Sequence, residues 1–344
     1  MKIEFRKMEE SEAKLVQKIG RKSFGPFEGI FFYKPKKGML AVADGEIAGG
    51  AVYKIMNIKG NKRVAYVAFA FVSKEYRGIG IGKKLYHEVT EMIKKEGVDE
   101  ITTIVADDNV ASWKPFQNCG YNTITFSEFF SKFGILGGIK VWFGAVLAWA
   151  VGHQMWIKGA TKKTTEFQEF VTFILLNLFV LMPGLLRLSS IKTVTFWIIA
   201  VNILIITPAL VSKIMASFYK EEWEFQAVRG GVFVSLIVSG TGGSLPMIGR
   251  MYPKKYEKTA DFKRKMGLIS LAEWVTIFVL IIISDIMKET SLLFEITSGL
   301  GKGYLLYHTI PVYPFAYFGG KRIWDWNKYL LVILLVIWGM LVFI

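Results

Sequence analysis

The chain has 344 residues, which at about 150 residues per domain corresponds to two domains. Apolar residues make up 52%, charged residues 21%, and mean hydropathy is +0.37. That combination excludes disorder and points to a water-soluble part segregated from a membrane part. A single cysteine, Cys119, excludes a disulfide scaffold and suits a reducing cytosol, and three histidines leave little for a transition-metal site.

The basic excess is uneven. Residues 1–130 carry 21 basic and 16 acidic side chains, residues 131–344 carry 22 and 12. Most of the net charge of +15 therefore lies between apolar runs, where positive-inside charge belongs. No helix-turn-helix, zinc-finger or RNA-binding pattern argues for nucleic acid.

The start, MKIEFRKMEE, reads as lacking a signal peptide. Alternation predicts a strand over Ile3–Met8 and helical spacing a helix over Ser11–Lys22. Met39–Ala43 and Ile47–Met56 read as a hairpin around Asp44-Gly45. The continuous apolar run Val64–Val72 suits a strand covered on both faces. After a glycine-rich turn, Ile81, Leu85, Val89 and Ile93 recur at helical spacing to about Glu96, where Gly97 supplies the stop. A strand over Ile101–Ala106, a short helix over Asn109–Asn118 and a strand over Tyr121–Ile124 complete an α/β reading.

Chemistry concentrates in Arg77-Gly78-Ile79-Gly80-Ile81-Gly82-Lys83-Lys84. Glycines here bring backbone N–H groups together at a helix N-terminus, which is a cradle for pyrophosphate. Arg77 and the lysines add charge-assisted contacts. The spacing matches neither a Walker A loop nor GxGxxG.

Residues 64–121 resemble the GNAT family of acyl-CoA N-acyltransferases. Arg77, Gly80 and Gly82 match its phosphate motif. Val72-Ser-Lys-Glu-Tyr76 stands where the family has its splayed strand end, and Asn109 with Gly120-Tyr121 matches its closing pattern. The resemblance implies a mixed central sheet flanked by helices over residues 1–130. It also implies acetyl-CoA or a related acyl-CoA as cosubstrate, with pyrophosphate on Gly78–Lys83 and pantetheine along Phe71 and Val72. The Val72 N–H would polarise the thioester carbonyl, and Asn109 would touch the pantetheine arm. A neutral amine would attack directly, with no metal.

Two positions depart from that pattern. Phe116 stands where the family often has a tyrosine acid. Val64–Val72 carries no carboxylate, Tyr66 being its only ionisable side chain. Glu28, within the Phe24–Tyr33 segment, is the candidate base. His87 reads as helix surface and Cys119 as packing.

From about residue 134 apolar runs dominate. Spans are predicted at Val141–Ile157, Phe170–Leu186, Val194–Met215, Val228–Ile248, Gly267–Met287, Gly303–Phe318 and Tyr329–Ile344, giving six or seven helices. With residues 1–130 in the cytosol, the basic loop Arg250–Lys265 falls inside. Glu273, within the fifth span, is a functional candidate by position; the plainer reading pairs it with Lys265 or water. Ser239–Pro246 breaks the fourth span.

Ser212-Lys213, Ala216, Tyr219, Glu224-Phe225, the run Gly267–Ala272, Gly320–Ile323 and Trp326–Lys328 resemble the framework of archaeal site-2-type intramembrane metalloproteases. The family's His-Glu-x-x-His would fall on Pro208–Ser212 and its ligand aspartate on Gly319, so every metal ligand is missing. This resemblance implies an inactive relative that keeps a peptide- or lipid-binding groove.

Together these readings give a multi-pass membrane protein. It would acylate an amine of a membrane protein or of a lipid headgroup at the cytosolic surface. The alternative is an acyl-CoA-sensing domain fused to a membrane-protein-binding module. A transporter, prompted by Glu273 and the broken fourth span, is a third reading.

Overall fold

The computed structural model describes residues 2–106, 110–145, 152–160, 164–254, 259–312 and 314–343. The chain divides into two units, Met1–Trp149 with His153–Lys163, and Ala150–Gly152 with Thr164–Ile344.

The first unit is built on a seven-stranded mixed sheet in the order β1-β2-β3-β4-β5-β7-β6. β1 (Ile3–Lys7), β2 (Lys37–Ala43), β3 (Glu46–Asn57) and β4 (Arg63–Val72) form an antiparallel meander. The β2–β3 turn is the expected one. Asp44 and Gly45 have φ of 46° and 89°, and positive φ at both central residues matches the right-handed twist of the strands they join. β4 then pairs in parallel with β5 (Glu100–Ala106) through the crossover helix α2 (Ile81–Lys95). Helix α1 (Ala13–Glu28) precedes β2, α3 (Val110–Asn118) leads to β6 (Tyr121–Thr123), and α4 (Phe126–Gly144) follows it. The core gathers Val16, Phe32, Leu40, Val64, Tyr66 and Phe69. Burying one such large side chain stabilises the fold by about 1.5–3 kcal/mol.

Two expectations are corrected here. The region Val141–Ile157 is no spanning helix. α4 ends at Gly144, and His153–Lys158 is a strand, β7, hydrogen-bonded between β5 and β6. HQMWIK is apolar enough to pass for part of a span, but its burial comes from a sheet. The first unit therefore extends to Lys163 and not to residue 130.

Among its described residues the second unit is helical apart from one antiparallel strand pair, β8 (Trp223–Ala227) and β9 (Gly249–Pro253). Its helices are α5 (Glu166–Leu185), α6 (Ile191–Ser217), α7 (Val232–Gly240), α8 (Ala260–Met287), α9 (Leu292–Thr309), α10 (Gly320–Trp326) and α11 (Lys328–Phe343). Three helical segments, Glu166–Leu185, Ile191–Ser217 and Ala260–Thr290, are long and apolar enough to cross a membrane. They coincide with three of the expected spans. The expected fourth span is interrupted. α7 starts after Gly231 (φ 90°) and stops before Gly242 (φ 94°), so its nine residues reach about 14 Å, against about 30 Å of hydrocarbon. α11 has 16 residues, fewer than the ~20 a crossing needs.

Candidate functional site

The geometry of the first unit converges on the C-terminal end of β4. Among the described residues, the parallel pairing of β4 with β5 runs from Val64–Glu100 to Val67–Thr103. β4 continues five residues further, to Val72, so the two strands splay. On the other edge, Ser73 N donates to Ala48 O at 2.9 Å. In an antiparallel ladder alternate residues bond the same neighbour. Phe71, opposite Gly50, therefore turns its amide to β3, whereas Val72 and Ala70 turn theirs into the gap. Of the two residues expected to meet a pantetheine arm, Val72 presents its N–H, and Phe71 contributes a buried ring.

The turn that follows has the expected form. Gly78 and Gly80 have φ of 89° and 85°, angles that side-chain-bearing residues rarely adopt. A Cβ at either would meet nothing within 4 Å, so backbone angle alone requires glycine and the space above the turn is open. α2 begins at Ile81 with Gly80 as its cap and no side-chain capping bond. The first-turn N–H groups of Ile81, Gly82 and Lys83 have no intrahelical partner and carry the positive end of the helix dipole. Ile79 and Lys83 are exposed at its rim. Gly82 packs near Val72, its Cβ position 3.7 Å from Val72 Cγ2. Arg77 is bound to the strand: its Nε donates to Val72 O at 3.0 Å. This fixes the start of the turn against the end of β4 and leaves the outer guanidinium edge exposed.

Three expected residues stand differently. Phe116 is 4% exposed and packs against Tyr86 and Tyr121, ring centroids 4.2 and 5.2 Å away. Asn109 lies outside the described residues. Glu28 ends α1, and its side chain lies outside the described ones. His87 is exposed and Cys119 half-buried, as expected.

The register brings in two residues that sequence inspection passes over. Lys54 is cross-strand from Tyr66, and its ammonium stands 5.7 Å from the Tyr66 ring and 5.9 Å from that of Tyr33. Burial lowers the Lys54 pKa and pushes the Tyr33 phenol up to about 12. The Tyr33 ring meets Phe69 of β4 edge-on. Its hydroxyl is buried with no hydrogen-bond partner among the described residues, a condition that is uncommon and calls for a partner.

The family comparison agrees with this geometry. Residues 5–121 match the family model of the acetyltransferase (GNAT) family. Those residues form a GNAT acetyltransferase domain. Among solved structures, a chain of the NatC complex bound to Gag peptide and CoA is similar at 17% identity, covering 47% of this chain and 100% of that chain, TM-score 0.34. A GNAT-family acetyltransferase from Streptococcus pneumoniae is similar at 22%, covering 36% and 87%, TM-score 0.30. A ribosomal-protein-alanine N-acetyltransferase from Brucella melitensis is similar at 17%, covering 36% and 86%, TM-score 0.30. No curated protein matches the chain.

In the second unit, Glu273 does not pair with Lys265. It is 3% exposed, and its Oε2 accepts from Arg250 Nη2 at 2.8 Å. Arg250 also donates to Tyr317 O and Phe318 O, so an arginine counted in a basic loop is buried. Lys265 instead pairs with Glu221 and Asp261. A Cβ at Gly319 (φ 124°) would approach Arg250 Nη2 to 2.9 Å. The guanidinium thus fills the space a side chain there would need. Glu273, Arg250 and His308 border one small cavity of about 40 Å³. Among the described residues, no group of three His, Cys, Asp or Glu could hold a metal ion.

Proposed function

We propose that the chain is a membrane-tethered N-acetyltransferase that moves an acetyl group from acetyl-CoA to an amine at the cytosolic membrane surface. The supporting observation is the splayed end of β4. It offers the Val72 N–H to a thioester carbonyl beside the glycine turn and the open first turn of α2, which suit a pyrophosphate. A donor placed where negative charge develops on the carbonyl oxygen stabilises the tetrahedral transition state. The amine nitrogen bonds to the acetyl carbon as the carbon–sulfur bond breaks, and the thiolate leaves as CoA.

In this reading Gly78, Gly80, Gly82 and Lys83 hold phosphate, Ile79 and Ile81 contribute backbone to the same turn, and Asn109 meets the pantetheine arm. Glu28 remains the proposed base. Tyr33, whose ring meets Phe69 of β4, is the proposed proton donor in place of Phe116. The three apolar helical segments support the membrane setting. Transfer of label from acetyl-CoA to a membrane-borne amine, compared with Gly80→Glu, tests the reading; equal transfer by both would sink it.

A second reading is an acyl-CoA sensor without turnover, joined to a membrane module that binds a membrane protein as an inactive protease relative. The enclosed Phe116 favours it. Acetyl-CoA binding without amine-stimulated thiol release would support it.

A further inference from the structure

Helix α4 has almost no polar side. Its sequence, FSEFFSKFGILGGIKVWFG, is apolar nearly all round, and a helix of that kind is ordinarily buried on every face. Here one face is. Phe129, Phe133 and Val141 are at most 5% exposed and join the sheet core. Gly137 allows close approach, its Cβ position 3.3 Å from Ile58.

The other face points outward and is no less apolar. Ile135 is 71% exposed, Leu136 67%, Phe143 50% and Ile139 43%. After the break at Gly134 (φ 67°), residues 136, 139 and 143 recur at helical spacing and make one stripe. A contiguous exposed apolar stripe of this kind marks a surface with an occupant.

The rim of the stripe is basic. Lys140 is exposed beside it, and Lys59 and Lys62 are exposed on the β3–β4 turn. That turn is held to α4 by Lys62 Nζ, which donates to Lys132 O at 3.4 Å. The neighbouring carboxylates are engaged, Glu100 with Lys132 and Glu128 in the Thr125 cap. Apolar side chains flanked by lysines match the interface of a bilayer with anionic headgroups.

A short link joins this unit to the apolar helices. The first unit ends at Lys163, and the first spanning-length helix, α5, starts at Glu166. Three residues extend at most about 10 Å.

We infer that the outer face of α4 lies in the headgroup layer of an anionic membrane, parallel to its surface, and so holds the acetyltransferase domain against acceptors carried there. The inference rests on the membrane setting proposed above and not on the chemistry. The test uses the full chain in nanodiscs of phosphatidylcholine and phosphatidylglycerol, in a Cys119→Ser background. An environment-sensitive fluorophore is placed by Leu136→Cys, Ile139→Cys, Lys14→Cys on α1, or Leu175→Cys on α5. Nitroxide-labelled lipids then report depth. The expected result is several-fold stronger quenching by shallow nitroxides at 136 and 139 than at 14, with 175 quenched by deep ones. Quenching at 175 alone overturns the α4 inference and leaves the membrane setting standing. No quenching at any site overturns both. A blue-shifted but unquenched probe at 136 overturns it in favour of a second copy of the chain.

A parallel arm measures acetylation of one peptide amine, free or lipid-anchored in vesicles. Leu136→Glu/Ile139→Glu is expected to reduce acetylation of the anchored peptide several-fold and spare the free one. If neither peptide is acetylated by the wild type, the enzymatic reading fails while the quenching result still decides the docking.

Discussion

Arg77 Nε donates to the carbonyl oxygen of Val72 at 3.0 Å. The first residue of the glycine turn is thereby tied to the residue whose amide faces the splay. Arg77→Lys keeps the charge but has no donor at that point of the side chain. A hydrogen bond from a charged donor contributes about 1.5–3 kcal/mol, so acetyl-CoA affinity is expected to fall roughly tenfold or more in Arg77→Lys and at least as far in Arg77→Ala. Calorimetry with acetyl-CoA checks this. Full affinity in Arg77→Lys would mean that charge alone matters.

Tyr33→Phe separates chemistry from packing. The hydroxyl it removes is buried with no hydrogen-bond partner among the described residues, so its loss costs none of the hydrogen bonds seen there. Thermal stability should stay level or rise. Turnover should drop by about 10²-fold if this phenol protonates the leaving thiolate. Unchanged turnover removes Tyr33 from the mechanism.

Phe116→Tyr is the complementary case. The ring is enclosed by Tyr86 and Tyr121, so a hydroxyl added there is expected to raise kcat by less than about twofold. Where it finds no partner it costs about 1–3 kcal/mol of stability. A larger gain in kcat would place this ring at the reacting sulfur.

One acid-sensitive contact can be checked directly. Both guanidinium Nη groups of Arg6 donate to Glu12, at 2.8 and 2.7 Å. The Arg6 bond holds the Glu12 carboxyl below its usual range. Because the folded value is the lower one, this stability is complete above the unfolded glutamate range, about pH 4.3. It is lost as pH falls through the lowered folded value. The pair is partly exposed and is worth at most about 1 kcal/mol. Melting curves of wild type and Glu12→Gln should differ at pH 7 and converge in acid.

Breaking the Arg250–Glu273 pair tests the second unit. Glu273→Ala leaves a buried guanidinium uncompensated, at a cost of about 3–5 kcal/mol. Gly319→Ala forces a Cβ toward the same guanidinium at φ 124° and is expected to cost about 1–3 kcal/mol. Both are read as earlier thermal unfolding in detergent. The double change Arg250→Met/Glu273→Leu should recover part of the Glu273→Ala loss.

Local rules carried the first unit far. Asp44-Gly45, Gly78 and Gly80 each mark a backbone form that few residues adopt, and each adopts it. Long-range register was not legible. Lys54 meets Tyr66 only because a bulge between Val52 and Tyr53 shifts β3 against β4, which no local pattern announces. β7 was hidden for another reason. A strand buried between two others and the flank of a membrane span have the same composition. In the second unit, spacing could place Glu273 but could not see that Arg250, on β9, turns its side chain to it.

That hidden strand bears on how the GNAT domain can be studied alone. The family match stops at residue 121, yet β5 and β6 touch β7 and not each other. A fragment ending at residue 121 loses β6 and bares the edge of β5, and one ending at residue 130 bares two facing rows of unpaired amides and carbonyls, the kind of edge that recruits other chains. Cutting after residue 160 keeps the sheet closed. It also keeps the outward face of α4, so even the correctly cut domain should need detergent or lipid to remain monodisperse.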